Sequence, residues 1–165
     1  MGRLRYLVIT VSTSRYDRQA KEGRRVDDES GDLAQRVIEG AKGVVVERAL
    51  VPDDARLLRS AVARALRQEK LDVIVLTGGT GVSTTDVTIE TVRPLFEKEI
   101  EGFGEIFRSV SFQRIGVAAA LSRATAGVAK GKVVLCLPGS PDAVRTALEL
   151  FAGEIPHVLH LARGR

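Results

Sequence analysis

Residues 71–81 read Leu-Asp-Val-Ile-Val-Leu-Thr-Gly-Gly-Thr-Gly, a nearly continuous apolar run that ends in a glycine-rich turn. An apolar run without polar alternation is typical of a strand that is buried on both faces of a parallel sheet. The glycines behind it predict a tight strand-to-helix turn in which backbone N–H groups are accessible. This segment therefore indicates an α/β protein, and it marks the first place to look for a ligand.

The same alternation of apolar runs and amphipathic stretches recurs along the chain. Runs of strand length lie at residues 4–11, 43–50, 71–77, 115–121 and 133–137. Stretches of helical period lie between them, at residues 30–41, 54–69, 88–101 and 141–161. This order predicts a three-layer α/β/α fold around a doubly wound, mostly parallel sheet. The length of 165 residues predicts a single domain spanning residues 1–165.

One long segment, residues 12–29, is polar and lacks helical or strand periodicity. It follows directly on the first predicted strand. Loops of this length are uncommon unless they are functional or disordered. We interpret the segment either as a mobile lid over the ligand edge or as a disordered surface excursion, and the sequence does not choose between the two.

Composition and charge narrow the function classes. The net charge is +4, but the basic residues are scattered, and only five phenylalanines and two tyrosines are available to stack on bases. No apolar stretch approaches the roughly 20 residues that cross a bilayer. We expect a cytoplasmic protein that binds neither nucleic acid nor membranes, and whose partner is a phosphorylated small molecule. The lone Cys136 lies in an apolar run and is predicted to be a buried thiol.

The glycine-rich turn Thr77-Gly78-Gly79-Thr80-Gly81 is the strongest candidate for an anion site. Without side chains in the way, backbone N–H groups can face a phosphate, and the start of the next helix adds positive potential. The segment matches neither the P-loop nor the dinucleotide pattern. An ordinary strand-to-helix turn is the alternative.

A second turn of the same kind, Pro138-Gly139-Ser140-Pro141, follows the last predicted strand and precedes the last helix. Capping of that helix by Ser140 is the alternative interpretation. Because parallel strands end at the same edge of a sheet, both turns are expected at one edge. Together they indicate a ligand with extended anionic groups.

Two acidic residues are predicted at this edge, Asp53 after the second strand and Asp86 after the glycines. A carboxylate beside a phosphate repels it unless a cation intervenes, and Mg²⁺ prefers carboxylate and phosphate oxygens. Capping of a helix by Asp53 or its neighbour Asp54 is the alternative. No serine nucleophile motif is present, although Ser122 after the predicted fourth strand is a candidate ligand contact. Such a site suits phosphoryl or nucleotidyl transfer by positioning and charge stabilisation.

Five motifs, taken together, resemble those of a known protein family. In order and spacing, these motifs resemble the MoaB/MogA proteins of molybdenum cofactor biosynthesis over nearly the whole chain, and MoaB more than MogA. The motifs are Thr77-Gly78-Gly79-Thr80-Gly81, Asp86-Val87-Thr88-Ile89-Glu90, Gly102-Phe103-Gly104-Glu105, Leu121-Ser122-Arg123 and Pro138-Gly139-Ser140-Pro141.

The resemblance implies an enzyme that uses ATP and Mg²⁺ to adenylylate molybdopterin and releases pyrophosphate, on the way to the molybdenum or tungsten cofactor. It implies that Asp53 and Asp86 are catalytic and hold the metal, and that the protein is a homo-oligomer, a trimer or a hexamer. The ligand-contacting residues that go with it are Ser12, Gly78, Gly79, Thr80, Gly81, Glu105, Ser122, Arg123, Pro138, Gly139 and Ser140.

Two other functions stay open. Thr85 and Ile89 stand where many active relatives carry arginine and proline, which leaves a catalytically silent protein that binds molybdopterin or a precursor. A weaker alternative is an unrelated nucleotide-binding module. Retention of both Asp53 and Asp86 favours the enzyme, because a passive binder of a polyanion gains nothing from two carboxylates.

Overall fold

Six strands form one sheet in the order β2-β1-β3-β6-β5-β4 in a computed structural model, which describes residues 2–164. The four strands β2, β1, β3 and β6 are parallel, and β5 and β4 are antiparallel to their neighbours. The strands are β1 (Arg5–Val11), β2 (Val44–Val51), β3 (Val73–Thr77), β4 (Lys98–Glu99), β5 (Thr125–Ala129) and β6 (Lys132–Leu137). The helices are α1 (Thr13–Glu22), α2 (Glu29–Gly40), α3 (Ala55–Leu66), α4 (Thr88–Val92), α5 (Glu101–Ile115), α6 (Pro141–Phe151) and α7 (Ile155–Ala162).

The sheet carries helices on both faces, because consecutive residues of each buried strand are apolar and point to opposite faces. In β1, Tyr6 and Val8 pack on the face that α2, α5, α6 and α7 cover. Leu7 and Ile9 pack on the opposite face, under α3 and α4. Each such fully buried aliphatic side chain contributes roughly 1.5–3 kcal/mol by its removal from water. The predicted three-layer, mostly parallel α/β/α architecture is confirmed.

The winding of the chain reverses at β1. The chain runs from β1 to β2 on one side and then crosses back to β3 on the other side. Thr10 in β1 is level with Leu50 in β2 and Thr77 in β3, so all three strands end together. In doubly wound sheets the ligand crevice lies beyond the strand ends at this reversal.

The prediction that residues 12–29 form a loop is wrong for their first half, because residues 13–22 form helix α1. Ser12 caps the start of this helix by accepting a hydrogen bond from the Arg15 backbone N–H at 3.4 Å, and Gly23 ends it with a φ of +64°. None of its residues is buried. A helix that is polar all round shows no apolar period, so its caps were the only signal in the sequence.

The predicted strand at residues 115–121 is also wrong. Helix α5 runs to Ile115, Gly116 ends it with a φ of +63°, and Gly116–Leu121 form a 3₁₀ helix. Val117 and Leu121 in this stretch are exposed and Ala119 is buried, so most of its apolar residues form surface and not core. Ser122 therefore follows a 3₁₀ helix and not a strand end.

The antiparallel edge of the sheet was not predicted. Strands β5 and β6 form a hairpin whose two-residue turn, Lys130-Gly131, has positive φ at both positions. Such turns match the twist of a hairpin, and a glycine at the second position is their usual signal. The strand β5 is short and contains Gly127, against which the Phe96 ring packs.

Two predicted helices are each interrupted near a proline. The stretch 88–101 contains the short α4, then a 3₁₀ turn at Arg93–Leu95 that includes Pro94, and then β4. The stretch 141–161 divides into α6 and α7, with Pro156 in the first turn of α7. Proline lacks a backbone N–H and is tolerated only in the first turn of a helix, so it marks such breaks.

The structure also shows the burial of Cys136 and of the apolar residues of α5. Cys136 in β6 is fully buried, as predicted, and burial raises the pKa of its thiol. In α5, Phe103 and Phe107 lie in the core, whereas Ile106 and Phe112 are exposed. Among residues 2–164, no helix has both the length and the apolar character needed to cross a membrane.

Candidate functional site

The glycine loop, residues 78–81, lies against the end of β1 at the reversal of the winding. Gly78 has a φ of +100°, and a Cβ atom at this position would lie 2.3 Å from the carbonyl oxygen of Val11. The N–H of Gly78 donates to the carbonyl oxygen of Leu137 at 3.0 Å. Only glycine fits so close to a neighbouring backbone, so the sequence signal at Gly78 reflects a packing requirement.

Gly79 places the loop beside one of the predicted acidic residues. Its φ is +64°, and a Cβ atom here would lie 2.5 Å from Thr88 Oγ1 and 2.9 Å from Asp53 Oδ1. The Thr88 hydroxyl donates to the carbonyl oxygen of Gly78 at 2.8 Å, and the Thr88 N–H donates to that of Gly79 at 2.9 Å. The start of α4 therefore fixes the loop through Thr88, which lies in one of the quoted motifs but was not predicted to be a site residue.

Asp53 does not cap α3. Its neighbour Asp54 caps this helix by accepting a hydrogen bond from the Leu57 N–H at 2.9 Å. Instead, Asp53 Oδ2 accepts from the Thr13 N–H at 3.0 Å and from the Thr13 hydroxyl at 2.9 Å. The Asp53 N–H in turn donates to Thr13 Oγ1 at 2.9 Å. The half-buried Asp53 carboxylate therefore joins the first residue of α1 to the glycine loop.

Asp86 lies against the same loop at Gly81. Its Oδ2 accepts from the Ser83 N–H at 3.0 Å, and a Cβ atom at Gly81 would lie 2.7 Å from that oxygen. The carboxylate is therefore held by the turn in which it occurs. Asp53 and Asp86 therefore lie against the glycine loop at two different positions, Gly79 and Gly81.

Arg123 binds the backbone of the glycine loop at Thr80. Its Nε–H donates to the carbonyl oxygen of Thr80 at 2.9 Å, and its Nη2 is paired with the Glu90 carboxylate. Burial raises the pKa of Glu90, but the hydrogen bond and charge of Arg123 outweigh it and lower the pKa below its usual value. The sequence proposed Arg123 as a ligand contact, and the structure gives its guanidinium two protein partners.

The second turn packs directly against the glycine loop. A Cβ atom at Gly139 would lie 3.3 Å from the Cα of Gly78. The Thr77 hydroxyl donates to the carbonyl oxygen of Pro138 at 3.0 Å, and the Ser30 hydroxyl donates to that of Gly139 at 2.6 Å. Ser30 is buried and was not predicted, because a serine near a helix start has no distinctive pattern.

Four further predicted contact residues lie at helix starts, after the 3₁₀ helix or on α5. Ser140 caps α6 by accepting from the Ala143 N–H at 3.3 Å, and Ser12 caps α1. Ser122 is half-buried next to Arg123. Glu105 has an exposed side chain on α5, and among residues 2–164 it has no side-chain hydrogen bond or ion pair.

The donor set at the loop suits a metal that needs few protein ligands. No group of three or more histidine, cysteine or acidic residues is gathered within residues 2–164, so a fully protein-ligated metal site is not formed there. Asp53 Oδ1 and Asp86 Oδ1 are the carboxylate oxygens left after the hydrogen bonds described above. Mg²⁺ is commonly bound by one or two carboxylates together with substrate phosphates and water, and this arrangement fits that chemistry.

The arrangement as a whole is suited to positioning an anionic ligand. Two turns present backbone to the same edge, and two carboxylates flank the first of them. The neighbouring hydroxyls of Thr77 and Thr88 are both engaged with main-chain carbonyls and are not activated as nucleophiles. Both hydroxyls therefore hold the two turns in place.

Comparison with known proteins gives consistent results. Residues 7–158 match the family described as "Probable molybdopterin binding domain". The chain is 41% identical over 162 residues to the "Probable molybdopterin adenylyltransferase" of Methanocaldococcus jannaschii, with 98% of this chain and 96% of the relative covered. It is 44% identical over 162 residues to the "Molybdopterin adenylyltransferase" of Pyrococcus furiosus, with 94% and 89% covered.

A solved structure extends the likeness to the backbone. The crystal structure described as the tungsten cofactor synthesizing protein MoaB from Pyrococcus furiosus superposes with a TM-score of 0.84. The two sequences are 40% identical, and the superposition covers 98% of each chain.

Proposed function

The chain belongs to the molybdopterin-binding-domain family, and from that membership and the site we propose that it is a molybdopterin adenylyltransferase. A phosphate oxygen of molybdopterin attacks the α-phosphorus of ATP, and the bond from that phosphorus to the bridging oxygen of the β-phosphate breaks. Adenylyl-molybdopterin and pyrophosphate are the products. The product then serves the synthesis of a molybdenum or tungsten cofactor.

One observation carries the proposal beyond family membership. A carboxylate, Asp53, lies against the backbone of the glycine loop at Gly79, and a second, Asp86, lies against it at Gly81. Two carboxylates oppose the passive binding of a polyanion. They favour a site in which a divalent cation is held between the protein and the phosphates.

Each part of the site has a role in this reaction. The glycine loop and the Pro138–Ser140 turn bind phosphate groups through backbone N–H groups, which align the two substrates. Asp53 and Asp86 are the residues that would hold Mg²⁺. When bound, Mg²⁺ neutralises charge on the phosphates and on the departing pyrophosphate. Arg123 keeps the loop in place from behind, through the Thr80 carbonyl and Glu90.

The direct test is a reaction with purified components. Molybdopterin, ATP and Mg²⁺ are mixed with the protein, and both pyrophosphate and adenylylated pterin are measured. Formation of both in equal amounts supports the proposal. Molybdopterin binding without either product identifies the silent binding protein, and ATP binding that molybdopterin does not affect identifies an unrelated nucleotide-binding module.

We also propose that the protein works as a homo-oligomer, a trimer or a dimer of trimers. Five apolar side chains on α5 and the 3₁₀ helix that follows are more than half exposed, which is unusual for a solvated surface. They are Ile106, Phe112, Ile115, Val117 and Leu121. Light scattering on a dilute sample measures the assembly, and a stable monomer of 17.8 kDa would contradict it.

A further inference from the structure

We propose that Thr13, the first residue of α1, is a positioning residue that orients the Asp53 carboxylate toward the glycine loop. This inference rests on the proposed function, in which Asp53 holds the metal that the nucleotide brings. Thr13 itself need not touch substrate. Its effect passes through three hydrogen bonds with Asp53, which we call the Thr13–Asp53 clasp.

The clasp uses the backbone N–H of Thr13 once and its hydroxyl twice. The Thr13 N–H and hydroxyl both donate to Asp53 Oδ2, at 3.0 Å and 2.9 Å, and the hydroxyl oxygen accepts from the Asp53 N–H at 2.9 Å. A single hydroxyl can donate once and accept at the same time, so the three bonds are compatible. Threonine is also branched at Cβ, which limits the rotation of the hydroxyl away from this geometry.

The clasp leaves the two oxygens of Asp53 in different environments. Oδ2 carries both hydrogen bonds from Thr13, and Oδ1 is the oxygen that lies 2.9 Å from the Cβ position of Gly79. A carboxylate that is free to rotate would present either oxygen to a ligand. The clasp therefore selects Oδ1 for the loop side and fixes its direction.

The two residues meet because of the sheet register. Val11 at the end of β1 is level with Val51 at the end of β2, and the Ser12 N–H continues the pairing by donating to the Val51 carbonyl oxygen at 2.9 Å. Two residues beyond each strand end, Thr13 and Asp53 are then neighbours. The clasp couples the otherwise unburied helix α1 to the candidate metal ligand.

The test compares Thr13→Val, which keeps the shape of the side chain and removes the hydroxyl, with Thr13→Ser, which keeps the hydroxyl. The measured quantity is the affinity of Mn²⁺, used as the probe, for the protein–ATP complex without molybdopterin, so no turnover is needed. Partners that orient a metal ligand typically contribute 10–100-fold in metal affinity or activity. We expect Thr13→Val to weaken Mn²⁺ binding about tenfold and Thr13→Ser to stay within about twofold of the unmodified protein.

Arg15→Ala is the matched control on the same helix. Arg15 ties α1 to the following segment through its Nε–H and the carbonyl oxygen of Asp27 at 3.1 Å, and it does not contact Asp53 in the clasp. If the clasp matters only for attaching α1, Arg15→Ala and Thr13→Val should weaken Mn²⁺ binding equally. Unchanged Mn²⁺ affinity in Arg15→Ala supports a specific role for Thr13, and an equal loss overturns it.

Adenylylation kinetics supply a second readout. We expect Thr13→Val to lower kcat about tenfold with the KM for molybdopterin nearly unchanged, and to have no further effect when Asp53 is already asparagine. Normal kcat and normal Mn²⁺ affinity in Thr13→Val would overturn the inference. If the unmodified protein forms no adenylyl-molybdopterin, the proposed function fails, and the Mn²⁺ comparison still decides the role of Thr13.

Discussion

The two carboxylates at the glycine loop are held by different means. Asp53 is fixed by Thr13, 40 positions earlier in the chain, whereas Asp86 is fixed by Ser83, three positions earlier. The first arrangement needs β1, β2 and α1 to be assembled, and the second needs only a local turn. One acidic residue of the site therefore depends on tertiary structure and the other on sequence-local geometry.

This difference predicts how perturbations spread. A change in α1 should affect Asp53 and leave Asp86 in place, since the hydrogen bond to Asp86 comes from within its own turn. The glycine loop is shared by both, because Gly79 lies at Asp53 and Gly81 lies at Asp86. Variants of the loop and of its two carboxylates, from the largest expected effect to the smallest, test whether Asp53 and Asp86 depend on separate contacts.

The largest effect is expected where the two sides meet. Gly79→Val should abolish binding of both ATP and molybdopterin, because the side chain would overlap Thr88 Oγ1 and Asp53 Oδ1 and because a φ of +64° strains a branched residue. Calorimetric titration with each ligand measures the loss. Circular dichroism and the melting temperature show whether the variant is folded.

Gly102→Val is the matched control for this substitution. A Cβ atom at Gly102 in α5 would meet nothing within 4 Å, so the same change should leave both affinities unaltered. A folded Gly79→Val protein that binds both ligands normally would show that the glycine loop is only a turn.

Asp53 and Asp86 should contribute equally to the reaction rate, although different residues hold them in place. Asp53→Asn and Asp86→Asn should each lower the single-turnover rate about a hundredfold or more, with molybdopterin affinity within a few-fold, since the interaction is made mainly in the transition state. Rapid-quench measurement of the rate and equilibrium titration of the pterin on the same samples test this.

Asp54→Asn provides the control for both variants. Asp54 caps α3, and asparagine is an equally good cap, so turnover should not change. A passive binder would behave in the opposite way: removing a negative charge beside a polyanion would tighten binding or leave it unchanged. Full adenylylation by both Asp53→Asn and Asp86→Asn would contradict the roles given to them.

The sequence predicted the parallel half of the molecule well, because its strands are buried on both faces and read as continuous apolar runs. The sequence-based prediction was wrong where apolar residues are exposed and where a helix has no buried residue. The run at residues 115–121 is apolar but mostly exposed, and α1 is helical but has no buried residue. The glycine loop and Asp53 were placed at one edge from chain order alone, since the ends of parallel strands share one edge.

The supporting contacts could not be predicted in the same way. Thr13, Ser30 and Glu90 act through single side chains that bond to residues 33 or more positions away. No local pattern encodes such a pairing, because it depends on the register of strands and the angle at which helices pack. The same holds for Arg48, which crosses from β2 to the carboxylate of Asp28.

Asp28 stabilises the segment that follows α1, the helix whose first residue holds Asp53. Its carboxylate caps α2 by accepting from the Gly31 N–H at 3.1 Å, and it also accepts from the Thr10 hydroxyl at 2.6 Å and from Arg48 at 2.7 Å. The Asp28 and Arg48 side chains are only 12% and 18% exposed, so the pair is partly shielded from solvent. Burial raises the pKa of Asp28, but the three hydrogen bonds and the Arg48 charge outweigh it and lower the pKa below its usual value.

The last prediction concerns stability and not turnover. Asp28→Asn keeps the cap but removes the charge that pairs with Arg48, and it should lower the free energy of unfolding at pH 7 by about 2 kcal/mol, with kcat within about twofold. Because the folded-state pKa of Asp28 lies below that of the unfolded chain, near 3.9, its contribution is complete above that pH and is lost as pH falls through the folded value. Urea unfolding at pH 7 and at pH 3 should therefore show a difference in the free energy of unfolding between the two proteins that is smaller at pH 3.

The exposed neighbour Asp27 gives the control, since Asp27→Asn removes the same charge without a buried partner and should change stability by less than about 0.5 kcal/mol. Equal effects of the two substitutions at pH 7 would show that net charge, and not the Asp28–Arg48 pair, stabilises this side of the molecule.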